Sequence, residues 1–293
     1  MQALEPYAHT SAESMLRMGL APITDTECLA PFSTATWQRF HRHKVSQLAA
    51  DPDAVLADDC ALPALLELQS RLAENLRRHH ANALKDNAID LDSCGQLDAV
   101  DLLTRISLWL PDDVCILQAP ESLAVDGAEG DYLLTAASVL SPSHWHPNEK
   151  FMRPLSIIHR PIPGFTEQLT PRVSRFFQHI KPGQPVVRYN WGIQPGDQLN
   201  WQTASEPVVT ADTPLYYRSE RQTLMRLPDT QAVVFFIRIT QWPLTELNDS
   251  SHHPGLLAEL LAHMDALPAR ERAYKGIDRL QAALAKYRRA SPC

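Results

Sequence analysis

Apolar residues recur at helical spacing in the first third of the chain. Leucines three or four positions apart, with charged residues between them, run from Ala64 to Leu76, which is the pattern of an amphipathic helix. A second helix is predicted from Trp37 to Leu48, after the possible N-caps Ser33 and Thr34. We therefore predict that residues 1 to about 105 are mostly helical.

The middle of the chain has the short apolar runs of β-strands, bounded by turn residues. We predict five strands, at Val114–Leu117, Tyr132–Leu140, Pro185–Tyr189, Leu215–Leu224 and Gln231–Thr240. The last is nearly all apolar, as expected for a strand covered on both faces. A short helix is predicted at Val173–Ile180, before the stop signal Lys181-Pro182-Gly183.

The last part of the chain returns to helical spacing. Pro254-Gly255 opens a helix with an apolar stripe of leucines and Met264, and a second helix is predicted from Ile277 to Tyr287. Strands followed by segregated helices favour an α+β fold. We predict one integrated domain, with a helical region at 1–105 packed on a core at 106–245 and C-terminal helices at 246–293.

Composition and charge exclude several classes of protein. The net charge is −7, which argues against a nucleic-acid-binding protein. No apolar run is long enough for a transmembrane helix, and no signal peptide is recognisable. The five cysteines include no C-x-x-C pair, so a structural zinc site or an iron–sulfur cluster on this chain is not expected. We expect a cytoplasmic protein with reduced thiols.

His159 is the first residue with candidate chemistry. It follows the apolar Leu155, Ile157 and Ile158 and precedes a proline-rich turn. An imidazole held on a stiff apolar segment could serve as an axial ligand of haem iron. The competing interpretation is a core histidine that is bonded to a backbone carbonyl. His144 and His146 are reserve candidates for the same role.

Two further stretches carry unusual polar residues. In Arg188-Tyr189-Asn190-Trp191, the arginine could pair with a haem propionate or polarise oxygen, or else it stacks on the tryptophan. In Tyr216–Pro228, strand alternation would place Arg218, Glu220 and Gln222 on one face and Arg221 on the other.

Both faces of that stretch are thus polar, which is costly unless one of them lines a site or a charged network. Glu220 could hold a protonated amine there. The competing interpretation is a salt-bridged edge strand.

Arg238 is a single charge within the apolar run Val233–Ile239. A buried charge needs a partner. We consider two partners, Glu220 on the neighbouring strand or an anionic group of a cofactor. Common nucleotide-binding and hydrolase motifs are absent from the sequence.

These stretches, in this order, resemble the haem-dependent oxidative N-demethylase family, haem (alpha) subunit. The resemblance covers most of the chain from about residue 15 and is densest from about 110 to 245. It is carried by these segments: Met18–Leu20, Asp112–Leu117, Glu149-Lys150, Arg153–Leu155, Ile158-His159, Pro161–Gly164, Arg175–Phe177, Arg188–Trp191, Glu220–Leu224, Arg226–Pro228, Phe236–Arg238 and Tyr274–Gly276. Tyr189 departs from the pattern, which has a smaller aliphatic residue.

The resemblance implies a PAS-like antiparallel sheet that binds haem b and oxidises a dimethylamine-like secondary amine with O2. Electrons would come from an NADPH-dependent reductase whose own subunits carry FMN and a 2Fe–2S cluster. By resemblance, His159 is the axial iron ligand. The other expected cofactor-binding residues are Arg188, Asn190, Arg218 and Gln222, and the expected catalytic residues are Glu220, Arg221 and Arg238.

Two other functions are compatible with the same features. A PAS-type haem domain could sense a gas or a redox state without catalysis, because fold does not determine function. A binding module that has lost the haem is the third possibility. Haem content would separate the third from the first two, and amine-dependent oxygen consumption would separate the first from the second.

Overall fold

The computed structural model describes residues 18–87, 89–92, 96–120, 131–143, 146–160, 169–201, 208–248 and 255–290. Within them, seven strands form one antiparallel sheet in the order β1-β5-β6-β7-β3-β4-β2. The strands are β1 (Ala21–Pro22), β2 (Val55–Ala57), β3 (Asp113–Gln118), β4 (Leu133–Ser138), β5 (Val186–Pro195), β6 (Leu215–Arg226) and β7 (Val233–Pro243). All five predicted strands are present, and β5 continues six residues beyond its predicted end.

Helices precede, interrupt and follow the strands, so the predicted α+β class is confirmed. They are α1 (Thr34–Ala50), α2 (Leu62–His79), α3 (Ala81–Asn87), α4 (Ala99–Trp109), α5 (Pro147–Lys150), α6 (Leu155–Ile158), α7 (Thr170–His179), α8 (Leu244–Asn248), α9 (Leu256–Ala266), α10 (Ala269–Tyr274) and α11 (Gln281–Ala290). Short 3-10 turns lie at Asp25–Glu27, Pro52–Ala54, Asp59–Ala61 and Ile277–Leu280.

The starts of the helices follow from local chemistry. The Ser33 hydroxyl accepts a hydrogen bond from the Thr36 amide and begins α1, which satisfies a donor that the helix itself cannot. The Asp98 side chain does the same for α4 through the Asp101 amide. Because α4 crosses position 105, the predicted border between the helical region and the core falls inside a helix.

The strands give the sheet two faces with different covers. We call the side that carries Arg188, Glu220 and Ile237 the front face, and the side that carries Arg221 and Arg238 the back face. The back face packs against α2 and α4 over the centre of the sheet. The C-terminal helices cover the back face where β5 and β6 meet.

The front face is covered by two separate apolar clusters. One packs α6 and α7 against the sheet through Leu155, Phe177 and Leu224. The other joins Phe40 of α1 to Ile237 and Ile239 of β7. Between these two clusters, the side chains on β5 and β6 are polar. No helix among the described residues has the length and apolarity needed to cross a membrane.

Candidate functional site

His159 lies at the C-terminal end of α6, on the front face. Its backbone amide and its ring Nδ1 both bond the Leu155 carbonyl, at 3.1 Å and 2.9 Å. With Nδ1 as the donor, the imidazole lone pair lies on Nε2, which is the arrangement of histidines that bind metals. Burial lowers the pKa of His159 below its usual 6.5, and Arg188 lowers it further. The ring is therefore neutral at pH 7.

The interpretation of His159 as a core histidine predicts the same hydrogen bond, because an axial ligand also donates its second ring nitrogen to a carbonyl. The bond alone does not separate the two interpretations. The predicted turn Pro161–Gly164 and His144 lie outside the described residues. His146 begins α5, where no side-chain cap bond is formed.

A polar patch occupies the front face between the two apolar clusters. It consists of Arg188 and Asn190 on β5 and Glu220 and Gln222 on β6, which are directly paired in the register. Glu220 Oε2 accepts hydrogen bonds from Asn190 Nδ2 at 3.3 Å and from Gln222 Nε2 at 3.0 Å. All four side chains are half-buried. The sequence alternation predicted that Glu220 and Gln222 share one face of their strand, and the pairing of β5 with β6 adds Arg188 and Asn190.

Arg188 is the residue of the patch with unused donor capacity. Its Nε is buried and has no hydrogen-bond partner among the described residues. Burial lowers the pKa of this guanidinium, while Glu220 and Tyr274 act in the opposite direction. A buried cation of this kind favours an anionic ligand. Since Arg188 also acts on His159, the guanidinium and the imidazole share one region of the front face.

Arg218 lies on the same face but is turned into the protein. It is only 2% exposed and donates to the carbonyls of Ser141 at 2.6 Å and Leu199 at 2.9 Å. Its Nε lies 3.5 Å from Glu220 Oε1. In this placement Arg218 holds the Glu220 carboxylate, and its role in cofactor binding stays a prediction.

Arg221 and Arg238 do not join the patch. Strand alternation places both on the back face, where they are paired in the register. Arg221 donates hydrogen bonds to the backbone carbonyls of Glu27 and Cys28. Arg238 forms a close ion pair with Asp112. The predicted pairing of Arg238 with Glu220 is wrong, because Glu220 points to the opposite side of the sheet; an anionic group of a cofactor stays a prediction. Neither arginine shares the face of Glu220, and their expected catalytic roles stay predictions.

Two competing interpretations are wrong, the stacking of Arg188 on Trp191 and the edge position of a salt-bridged strand, although β6 does carry the Arg218–Glu220 ion pair. Arg188 does not stack on Trp191, since the two alternate between faces and it is Lys275 Nζ that lies 4.3 Å from the Trp191 ring centroid. The polar strand β6 is not an edge strand, because it pairs along its whole length with β5 and β7. Tyr189, the departure from the family pattern, lies on the back face opposite Arg221.

Tyr274 and Lys275 lie beside the patch, although no chemical pattern in the sequence selects them. Lys275 Nζ donates to the Trp191 carbonyl at 2.6 Å. Burial lowers the pKa of Lys275 to about 8, and Glu220 opposes that shift. Burial and Glu220 both raise the pKa of Tyr274. In the sequence, these two residues were indicated only because Tyr274–Gly276 is one of the segments that carry the family resemblance.

The described residues combine three chemical functions on one face of the sheet. The imidazole of His159 can bind a metal, the guanidinium of Arg188 can bind an anion, and the Glu220 carboxylate can accept hydrogen bonds from an ammonium group. Among the described residues, no group of three or more His, Cys, Asp or Glu side chains could hold a metal ion by itself. Iron in a porphyrin needs only an axial ligand from the protein.

Other features do not compete for this role. The cavities of about 400 Å³ and about 180 Å³ along α2 contain none of the predicted site residues. Cys28, Cys60 and Cys115 are free thiols, while Cys94 and Cys293 lie outside the described residues.

Comparison with known proteins gives one result. A family model described as haem-dependent oxidative N-demethylase, alpha subunit-like, matches residues 34–285. The match includes the helices α1 to α4, where the resemblance in the sequence was thin. No curated protein sequence matches the chain.

Proposed function

This chain belongs to the haem-dependent oxidative N-demethylase, alpha subunit-like family, and from that premise we propose that it binds haem b through His159 and demethylates a small secondary amine. The observation that carries the proposal is that a fixed imidazole and a guanidinium with a buried, unpartnered Nε lie on one face of the sheet. Glu220, held by three neighbours, completes the set.

The residues present fit a haem. Nε2 of His159 would hold the haem iron, because Nδ1 is bonded to Leu155. Arg188 would pair with a propionate, whose negative charge would compensate the buried guanidinium. The apolar residues Ile237 and Phe235 beside the patch would contact the ring and exclude water. When bound, haem would supply the activation of O2 that side chains cannot perform.

The patch would bind the amine. Glu220 Oε1 or Oε2 would accept a hydrogen bond from the ammonium group, and Asn190 and Gln222 keep the carboxylate in place. For dimethylamine, the overall reaction consumes O2, NADPH and a proton and yields methylamine, formaldehyde, water and NADP⁺. The electrons would come from a partner chain with FMN and a 2Fe–2S cluster. The family description names an alpha subunit, which is consistent with a complex that has further subunits.

Replacement of His159 tests the haem site. We expect His159→Ala to lose the Soret band of the haem-loaded protein, since no other described residue holds an imidazole at that place. His179→Ala is a matched control, because His179 Nδ1 also bonds a carbonyl four residues earlier, Arg175, but its side chain is exposed. Normal haem content in His159→Ala would refute the ligand assignment.

Oxygen consumption then separates the enzyme from the sensor. We expect the haem-loaded protein, supplied with NADPH and a flavin and iron–sulfur reductase, to consume O2 only when dimethylamine is present. Haem binding without amine-dependent consumption of O2 would favour the sensor.

A further inference from the structure

Glu220 is held from one side by an arginine whose own position is set elsewhere. Arg218 donates to Ser141 O, Leu199 O and Gln194 Oε1, and only its Nε faces Glu220. A guanidinium is planar and rigid, so the position of its other donors determines where Nε lies. The Ser141 carbonyl, at 2.6 Å, is its closest partner.

The backbone around Ser141 is held in turn by a buried carboxylate. Asp113 is 1% exposed and lies at the start of β3. Its Oδ2 accepts a hydrogen bond from the Ser141 amide at 3.0 Å, and its Oδ1 accepts one from the Leu140 amide at 3.2 Å. Asp113 therefore holds the amide of the residue whose carbonyl holds Arg218.

Asp113 has a buried countercharge on α1. Lys44 is fully buried, and its Nζ lies 3.9 Å from Asp113 Oδ1. The same ammonium donates to the carbonyls of Ser107, Leu110 and Asp112, so it closes the C-terminal end of α4. Burial raises the pKa of Asp113 to about 6 and lowers that of Lys44 to about 8. Two buried charges of this kind persist only where their partners are fixed.

We infer that Asp113, anchored by Lys44, is a positioning residue of the amine site, acting through the Ser141 backbone and Arg218 on Glu220. That the site binds an amine rests on the proposed function. The positioning of Glu220 by Asp113 does not depend on it. Asparagine at position 113 has only one acceptor oxygen. One of the two backbone amides, Leu140 or Ser141, therefore loses its acceptor and faces the NH2 group instead. Arg218 then loses its fixed carbonyl, and Glu220 loses its fixed neighbour.

Infrared spectroscopy tests the positioning without haem or amine. The difference between wild type and Glu220→Gln isolates the carboxylate band of Glu220. We expect that band to change position in an Asp113→Asn background. Asp112→Asn is the matched control, because Asp112 is equally buried and ion-paired but faces Arg238 on the back; the band should stay in place there. An unchanged band in Asp113→Asn overturns the inference.

Amine affinity tests the consequence. In the haem-loaded protein, titrated with dimethylammonium chloride, we expect Asp113→Asn to weaken binding about fivefold to tenfold. Glu220→Gln should also weaken binding while haem uptake stays normal. In the Glu220→Gln background, Asp113→Asn should have no further effect, because its influence passes through Glu220. Equal loss of affinity in both backgrounds would show a merely structural role.

The outcomes separate this inference from the proposed function. If the wild type takes up no haem or binds no amine, the proposed function fails and the infrared result still decides the positioning. If the wild type binds amine and Asp113→Asn has no effect, the inference alone fails. If Asp113→Asn does not fold, Arg218→Lys repeats both measurements, because lysine cannot span Ser141 O and Glu220 together; unchanged results there also overturn the inference.

Discussion

The buried charge of β7 is stabilised by a single carboxylate. On the back face, Arg238 is 2% exposed and pairs with Asp112, which is equally buried. Its guanidinium also lies 5.4 Å from the centroid of the Phe32 ring, yet its Nε and Nη1 have no partner among the described residues. Loss of the one carboxylate would therefore leave a buried cation that is poorly compensated.

Asp112→Ala should lower the free energy of unfolding by about 3–5 kcal/mol, the usual cost of an unpaired buried charge. Adding Arg238→Met should recover part of that loss, because no charge then remains to be desolvated. Urea unfolding of the wild type, both single variants and the double variant measures the coupling. Additive losses would contradict this account of the pair.

At the scale of elements, α7 is attached to the sheet by apolar packing and by one arginine. Arg226 ends β6 on the front face and donates to the carbonyls of Phe177 and Ile180 at the end of α7. It also donates to the Tyr132 hydroxyl at 2.7 Å. These carbonyls have no partner within the helix, so the guanidinium serves as its C-cap. The position of α7 over the front face therefore depends on a contact with a distant strand.

Arg226→Met should release α7 from the sheet and cost about 3 kcal/mol, because several hydrogen bonds from a charged group are lost. Hydrogen–deuterium exchange should become faster in the amides of α7. Arg221→Met provides the comparison, since Arg221 is also buried on β6 but bonds Glu27 and Cys28 on the back face. Equal exchange rates in the α7 amides of wild type and Arg226→Met would argue against this attachment.

For the whole molecule, the free energy of unfolding depends on pH through histidines that are buried in the fold. Burial is the largest cause of the lowered pKa of His43, His80 and His263, whose usual value is 6.5. Below pH 6.5 the unfolded chain binds protons that the folded chain does not, so unfolding takes up protons. Asp113, with a pKa raised to about 6, acts in the opposite sense, but it is one group against four histidines, because burial also lowers the pKa of His159.

We expect the free energy of unfolding to fall by about 1–2 kcal/mol between pH 7 and pH 5.5. Urea unfolding at both pH values, in about 0.15 M salt to screen long-range charge, measures the change. A free energy of unfolding that stays constant or rises as the pH falls would show that these histidines are not protected from protonation in the folded state.

Much of the fold was predictable because hydrophobic periodicity is a local property. The 3.6-residue period of α2 and the apolar run of β7 follow from backbone geometry that each segment adopts by itself. The same local rule separated Glu220 from Arg221, since neighbouring residues on a strand point to opposite sides. The strand alternation in the sequence therefore determined which polar residues of β6 share a face, and the pairing of β5 with β6 placed Arg188 on that face.

Only the tertiary structure decided which partners these side chains meet. The choice of Asp112 for Arg238, of Ser141 for Arg218 and of Asp113 for the Ser141 amide joins residues 28 to 126 positions apart. No sequence period encodes such pairs, because they depend on which strands become neighbours and which loops cover them. The sequence thus determined the faces of the strands. The packing of strands, loops and helices determined which charges are satisfied within the protein and which, as at Arg188, have a buried donor with no partner among the described residues.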